Sequence, residues 1–191
     1  MNRGLVYFHF DPHHQVRDYV LAALSSLRPH ADHVLLVSNS PIGEADRVRL
    51  ETCCDEILQR PNEGLDVGAY RAGLEHLGRC RPVTGLIAVL TCDAPSSWRA
   101  LPVLIEALRQ NEPEVNGVCA RDGDHVQYLL GLYRRRALAA AVAPGGTPLR
   151  DTAVRRALGR LRVAALPVPH GVVRDLDTWA EVRAWDTDAP E

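Results

Sequence analysis

The chain has 191 residues and no lysine, so all 22 of its basic residues are arginine. That excludes any mechanism built on a lysine, including the phosphate-binding lysine of a P-loop. Glycine-rich phosphate loops are missing too: neither GxGxxG nor GxxxxGK[ST] occurs. There is no GxSxG, and no spacing suggests a Ser-His-Asp set. The five cysteines, Cys53, Cys54, Cys80, Cys92 and Cys119, form no CxxC or CxxH pair, so a zinc site is not expected. Cys92 and Cys119 sit in apolar runs and read as buried thiols. The net charge of −2 gives no electrostatic case for nucleic acid. No apolar run approaches a membrane span, and MNRGLVYFHF enters a strand directly, without the regions of a signal peptide. A cytoplasmic protein is expected.

What is present is an ordinary soluble composition, 46% hydrophobic, in a length that suits one domain with a real core. Strand and helix patterns alternate. Strands are expected at 5–10, 33–38, 56–58 and 86–90, with helices following each: to about Leu27, over 44–52 with Val48 turned inward, over 67–77, and over 97–110. In the third helix Val67, Tyr70, Leu74 and Leu77 share a face. A hairpin over 115–130 turns at Asp122-Gly123-Asp124. Helices near 135–142 and 149–161, a strand at 163–166 and a last helix after Asp177-Thr178 complete the order. This alternation predicts an α/β fold: a three-layer α/β/α domain on a mainly parallel mixed sheet.

The segment Leu86 to Pro95, LIAVLTCDAP, is central to that reading. Its apolar run suits a strand buried on both faces. Asp93 falls just past the carboxyl end, where open α/β sheets bind ligands. There it is either a Mg²⁺ or Mn²⁺ ligand or the cap of the next helix. Asp175 and Asp177, before the last helix, would join Asp93 on one metal if the late strand lay beside the central one. Alternatively Asp177 or Thr178 caps that helix.

Three polar loops follow the early strands. His9, Asp11, His13 and His14 could contact a nucleotide or metal, or form a solvated turn. Asn39-Ser40-Pro41 offers Asn39 to a base or ribose, or only an Asx-turn. The stretch from Asn62 through Gly64 to Asp66 and Gly68 runs into a helix N-terminus, where free N–H groups favour an anion. Gly68 and Gly73 would let another backbone approach. Arg134-Arg135-Arg136 either grips a phosphorylated acceptor or starts a solvated helix.

Two family resemblances cover different halves. VYFHFDPHHQVRDYVLAALSSL, HVLLVSNSP and RPNEGLDVGAYRAGL, within residues 5–77, resemble the rhamnan-synthesis protein F family of glycosyltransferase-like proteins. That likeness implies a Rossmann-like nucleotide-diphospho-sugar transferase (GT-A) fold and makes His9, Asp11, Asn39, Asn62, Gly64 and Asp66 donor-site candidates. VLTCDAP, DGDHVQYLLGLYRRRAL, TPLRDTAVRRALGRLRV and RDLDTWAEVRA, within residues 85–185, resemble the MobA-type molybdenum cofactor guanylyltransferase family. That likeness implies the same fold and makes Asp93 a Mg²⁺ ligand. The family's opening LAGGxSxRMGxxK-like loop is replaced here by YFHFDPHHQVR.

The expectation is therefore a single transferase domain over 1–191. Residues 1–80 would hold the nucleotide-activated donor and 81–186 the metal and the acceptor, with Arg134 and Arg135 on the acceptor; 187–191 would be a tail. The favoured activity is metal-dependent glycosyl transfer from a nucleotide sugar, in polysaccharide synthesis, to a carbohydrate or phosphorylated acceptor. The alternatives are a MobA-like nucleotidyltransferase using a nucleoside triphosphate, and a non-catalytic nucleotide-binding module.

Overall fold

A computed structural model describes residues 3–80, 86–90, 96–111, 115–142 and 154–173, together with 178, 180, 181 and 184. The strands are β1 (Arg3–His9), β2 (His33–Ser38), β3 (Glu56–Gln59), β4 (Leu86–Leu90), β5 (Gly117–Asp122), β6 (His125–Arg134) and β7 (Val163–Pro167). The α-helices are α1 (Asp18–Leu27), α2 (Glu44–Leu50), α3 (Leu65–Cys80), α4 (Leu101–Gln110), α5 (Arg135–Val142) and α6 (Val154–Leu158). The strands form a seven-stranded sheet in the order β3-β2-β1-β4-β6-β5-β7. Of these strands β6 alone runs antiparallel to its neighbours.

The sheet is covered on both faces, which is why β1 and β2 are apolar without interruption. Alternation sorts their side chains. Leu5, Tyr7, Val34 and Leu36 pack with α1 and α4, while Val6, Phe8, Leu35 and Val37 pack with α3, α5 and α6. The face predicted for α3 is the buried one: Val67, Tyr70, Leu74 and Leu77 all enter the core. Gly73 lets α3 lie close to the sheet. A Cβ there would sit 2.8 Å from Val6 Cγ1 and 3.1 Å from Val37 Cγ2.

Three expectations shift. Val48 is 57% exposed, because the seven-residue α2 meets the core only through its last turn, at Leu50, and then through Cys53 and Cys54. Strand β6 runs past the expected end at Leu130 to Arg134, with the Leu132 and Tyr133 side chains on opposite faces of the sheet, while α5 occupies Arg135–Val142 as expected. In the helix expected at 149–161 the described part is Val154–Leu158, and its first residues lie outside the described ones.

This topology fixes where a ligand would enter. From β1 the chain steps outward to β2 and β3, then crosses back to β4 on the other side of β1. In open α/β sheets the crevice at such a reversal, here at the carboxyl ends of β1 and β4, is where ligands bind.

Candidate functional site

At the carboxyl edge, the loops after β1, β2 and β3 meet through side-chain hydrogen bonds. Ser38 Oγ lies 3.0 Å from His9 Nδ1 and donates to the Ser40 carbonyl at 2.8 Å. Ser40 Oγ accepts the Asp11 N–H at 2.8 Å and donates to the Asp11 carbonyl at the same distance. Two consecutive loops are thereby stitched together with no charge involved.

Asp11 is buried, and its carboxylate is spent on its own loop. Oδ1 accepts the His13 N–H at 2.7 Å and the Gln15 N–H at 3.4 Å, while Oδ2 faces Arg17 Nε at 3.5 Å. Asp11 thus organises the loop that replaces a glycine-rich one. His14 takes a φ of +58°, a left-handed conformation uncommon for a residue with a side chain. His13 and His14 are exposed beside it, as is Phe10. His9 is buried, which pushes its imidazole below the ordinary value against the opposing influence of the Gln15 backbone, Asp11 and Asp46. The neutral ring is the favoured form.

The second knot joins β2 to the start of α3. Asn39 Nδ2 donates to Asn62 Oδ1 at 3.0 Å, and Arg60 donates to Asn39 Oδ1 at 2.8 Å and to the Glu63 carbonyl at 2.7 Å. The Glu63 carbonyl folds onto the first turn of α3. A Cβ on Gly68 would lie 2.3 Å from that oxygen, so glycine is required there. Gly64 makes the bend with φ +72°. Asp66 occupies the helix's first turn. Burial pulls the Arg60 guanidinium below its ordinary pKa, with the Glu63 charge partly offsetting this. The bonds recorded for Arg60 go to neutral oxygens, and no ion pair to it is found among the described residues. By its sequence alone Arg60 reads as the first residue of the polar turn RPNEG. The signal that marks it is a lone arginine immediately past a strand at the ligand-binding edge.

His9, Asp11, Asn39, Asn62, Gly64 and Asp66 therefore come from loops on one edge of the sheet. Arg134 and Arg135 do not join them. Arg134 stands opposite Leu86, the first residue of β4, at the other end of the sheet. With about 3.3 Å per residue, β4 separates it from the crevice by roughly 15 Å. The cause is the antiparallel course of β6. Arg134 Nε donates to the Val115 carbonyl at 2.8 Å. The hypothesised acceptor contact at these two arginines has no access to the crevice.

Asp93, Asp175 and Asp177 lie outside the described residues. Among the described residues no group of three or more His, Cys, Asp or Glu is placed to hold a metal ion. Thr178 and Glu181 form a reciprocal cap: the Glu181 N–H donates to Thr178 Oγ1 at 3.2 Å, and the Thr178 N–H donates to Glu181 Oε2 at 3.0 Å. Thr178 is thus the cap. Cys53, Cys54 and Cys119 are buried and unbridged. Burial raises all three thiols, Cys54 to about 12 and Cys119 to about 11, which makes them inert at neutral pH.

The sequence model of the Rhamnan synthesis protein F family matches residues 34–83, the segment containing Asn39, Arg60, Asn62, Gly64 and Gly68. No curated protein matches the chain significantly. Among solved structures, 4-diphosphocytidyl-2C-methyl-D-erythritol synthase from Anaerococcus prevotii is similar at a TM-score of 0.70 and 13% identity, over 97% of this chain and 95% of that one. A second structure with that enzyme name is similar at 0.69 and 15%, over 97% of both chains. The 2-C-methyl-D-erythritol 4-phosphate cytidylyltransferase of Thermus thermophilus gives 0.62 and 15%, over 95% of this chain and 96% of that one. At these identities the likeness is one of fold, and the fold is the α/β nucleotide-diphospho-sugar transferase type.

Proposed function

We propose that this chain is a transferase that takes a nucleotide-activated donor at the carboxyl edge of its sheet, and that the donor is a nucleotide sugar used in polysaccharide synthesis. The observation that carries the reading is Arg60. It is a partly buried cation at the ligand-binding edge, bonded to neutral oxygens beside the N-terminus of α3. Such a group and such a helix end both favour a phosphate. The amide groups of Asn39 and Asn62 lie in the same knot and suit a base or ribose. The match to the rhamnan-synthesis family over 34–83 supports glycosyl transfer, because it spans this knot.

The proposal includes Mg²⁺ or Mn²⁺ held by Asp93, with Asp175 and Asp177 beside it. Bound there, the metal would neutralise charge on the diphosphate. The acceptor is a carbohydrate or a phosphorylated molecule.

The second reading is nucleotidyl transfer, MobA-like or otherwise, favoured by the cytidylyltransferases that share the fold along the whole chain. It must do without lysine. A thermal-shift panel separates the two. Each nucleoside diphosphate, its sugar conjugates and each triphosphate is titrated with Mn²⁺ or Mg²⁺ against the wild type and Asp93→Asn. A ligand that binds only the native state raises the melting temperature with concentration. Glycosyl transfer predicts stabilisation by a diphosphate or its sugar, weakened in Asp93→Asn. Stabilisation by a triphosphate above all supports the second reading. No shift with any ligand overturns both and leaves a non-catalytic module.

A further inference from the structure

A second arginine with no ion pair among the described residues stands far from the crevice. On the sheet face covered by α3, α5 and α6, an open groove between α3 and α5 has a volume of about 270 Å³. Leu74, Ala139 and Val142 form its apolar wall, and Arg71, Glu75 and Arg135 its polar rim. Arg71 Nε donates to Glu75 Oε1 at 2.8 Å, so that pair is neutral as a unit. Arg135 is half-buried and has no hydrogen bond or ion pair among the described residues. Its guanidinium lies over Gly78, reaching 3.0 Å from where a Cβ would stand.

A guanidinium presents five donors and stays charged at any working pH. Withdrawing it partly from water without an acceptor is unfavourable unless an anion completes it. The rim carries two cations and one carboxylate, a net of one positive charge. The volume is at the small end of ligand pockets and suits a small molecule. We propose that the α3–α5 groove is a binding site for a small organic oxyanion: one carboxylate or phosphate ester on Arg135, carried on an apolar body that covers Leu74, Ala139 and Val142. The site does not depend on the donor reading, since no group in the crevice contributes to it.

The test is calorimetric titration of the full chain with hexanoate, hexyl phosphate, inorganic phosphate and hexanol. Hexanoate or hexyl phosphate binds at millimolar concentration or below, and whichever is tighter identifies the head group. Inorganic phosphate and hexanol, each lacking one half of the ligand, bind at least about tenfold more weakly. Arg135→Met removes the anion contact, and Ala139→Trp fills the groove without touching the charge; each lowers affinity at least about tenfold. Circular dichroism checks that both variants fold, and either suffices. The proposal is overturned if neither amphiphile binds at about 10 mM, if a folded variant binds as the wild type does, or if inorganic phosphate binds as tightly as its hexyl ester.

Discussion

Strands β2 and β3 end in opposite kinds of polar chemistry. At their carboxyl ends, Asn39, Arg60, Asn62 and the Glu63 carbonyl are joined by bonds to neutral oxygens. At their amino ends, two carboxylates take up the polar partners. Arg28 pairs with Asp55 at 2.8 Å, the His33 ring lies 3.6 Å from Asp55 and 3.3 Å from Glu56, and His76 bonds Glu56. At the amino end each carboxylate is taken up by a neighbouring arginine, histidine or backbone N–H, and the result is structural support for an edge strand. At the carboxyl end the hydrogen bonds serve shape, and the Arg60 guanidinium bonds neutral oxygens with the Glu63 charge nearby. On the proposed function, the second arrangement is the one that takes an anionic ligand.

The sharpest way to break this contrast is Gly68→Ala. A methyl group 2.3 Å from the Glu63 oxygen must push the loop off α3. The expected loss is about 2–3 kcal/mol, since forced overpacking costs roughly that much. Urea unfolding reads it, and nucleotide-dependent stabilisation should fall with it. Asp11→Ala comes next. It strips the partner from the His13 and Gln15 N–H groups and from Arg17, and should cost about 2 kcal/mol, as bonds to a buried charged acceptor do. Arg60→Met leaves the core untouched. It should lower stability by about 1 kcal/mol and reduce nucleotide affinity far more. If affinity is unchanged, Arg60 is only a loop tie.

His9 extends the contrast to pH. Its folded pKa lies below the unfolded value of 6.5, because burial disfavours the charged ring. Below that unfolded value the unfolded chain takes up the proton first. The stability contributed by the neutral ring is therefore complete above about pH 6.5 and is lost as pH falls through the folded pKa. His9→Gln should flatten the acid side of a stability–pH curve. An unchanged slope would mean that other groups carry it.

Periodicity made the fold legible. The β1 and β2 runs, the α3 face from Val67 to Leu77 and the Asp122-Gly123-Asp124 turn all stand where the pattern puts them. It did not reveal that β6 runs on to Arg134, because a glycine at 131 inside LLGLY reads as a strand end. In the structure Gly131 is where the Tyr133 ring passes, 2.6 Å from a would-be Cβ. The arginine run therefore begins at the last residue of β6 and continues into α5, which starts at Arg135 as the pattern has it. The site was legible as a set of loops, but not in its wiring. Pattern shows which residues are polar; only the fold shows that Asp11 is consumed by His13 and Gln15 while Arg60 is not consumed by a carboxylate.

The smallest effects belong to the amino end, and they test whether its charges do anything beyond bracing. Asp55 has two tasks: one oxygen accepts the Val34 N–H at 2.7 Å and the other holds Arg28. Asp55→Ala should cost about 1 kcal/mol, nearly all from the orphaned N–H of Val34. Arg28→Met should cost no more than about 0.5 kcal/mol, because its side chain is 42% exposed and solvent screens the pair. The Arg28 loss should vanish at high salt, whereas the Asp55 loss should persist. Neither variant should change nucleotide affinity. If Arg28→Met weakens binding as Arg60→Met does, the two ends of these strands are coupled and the separation of brace from binding edge fails.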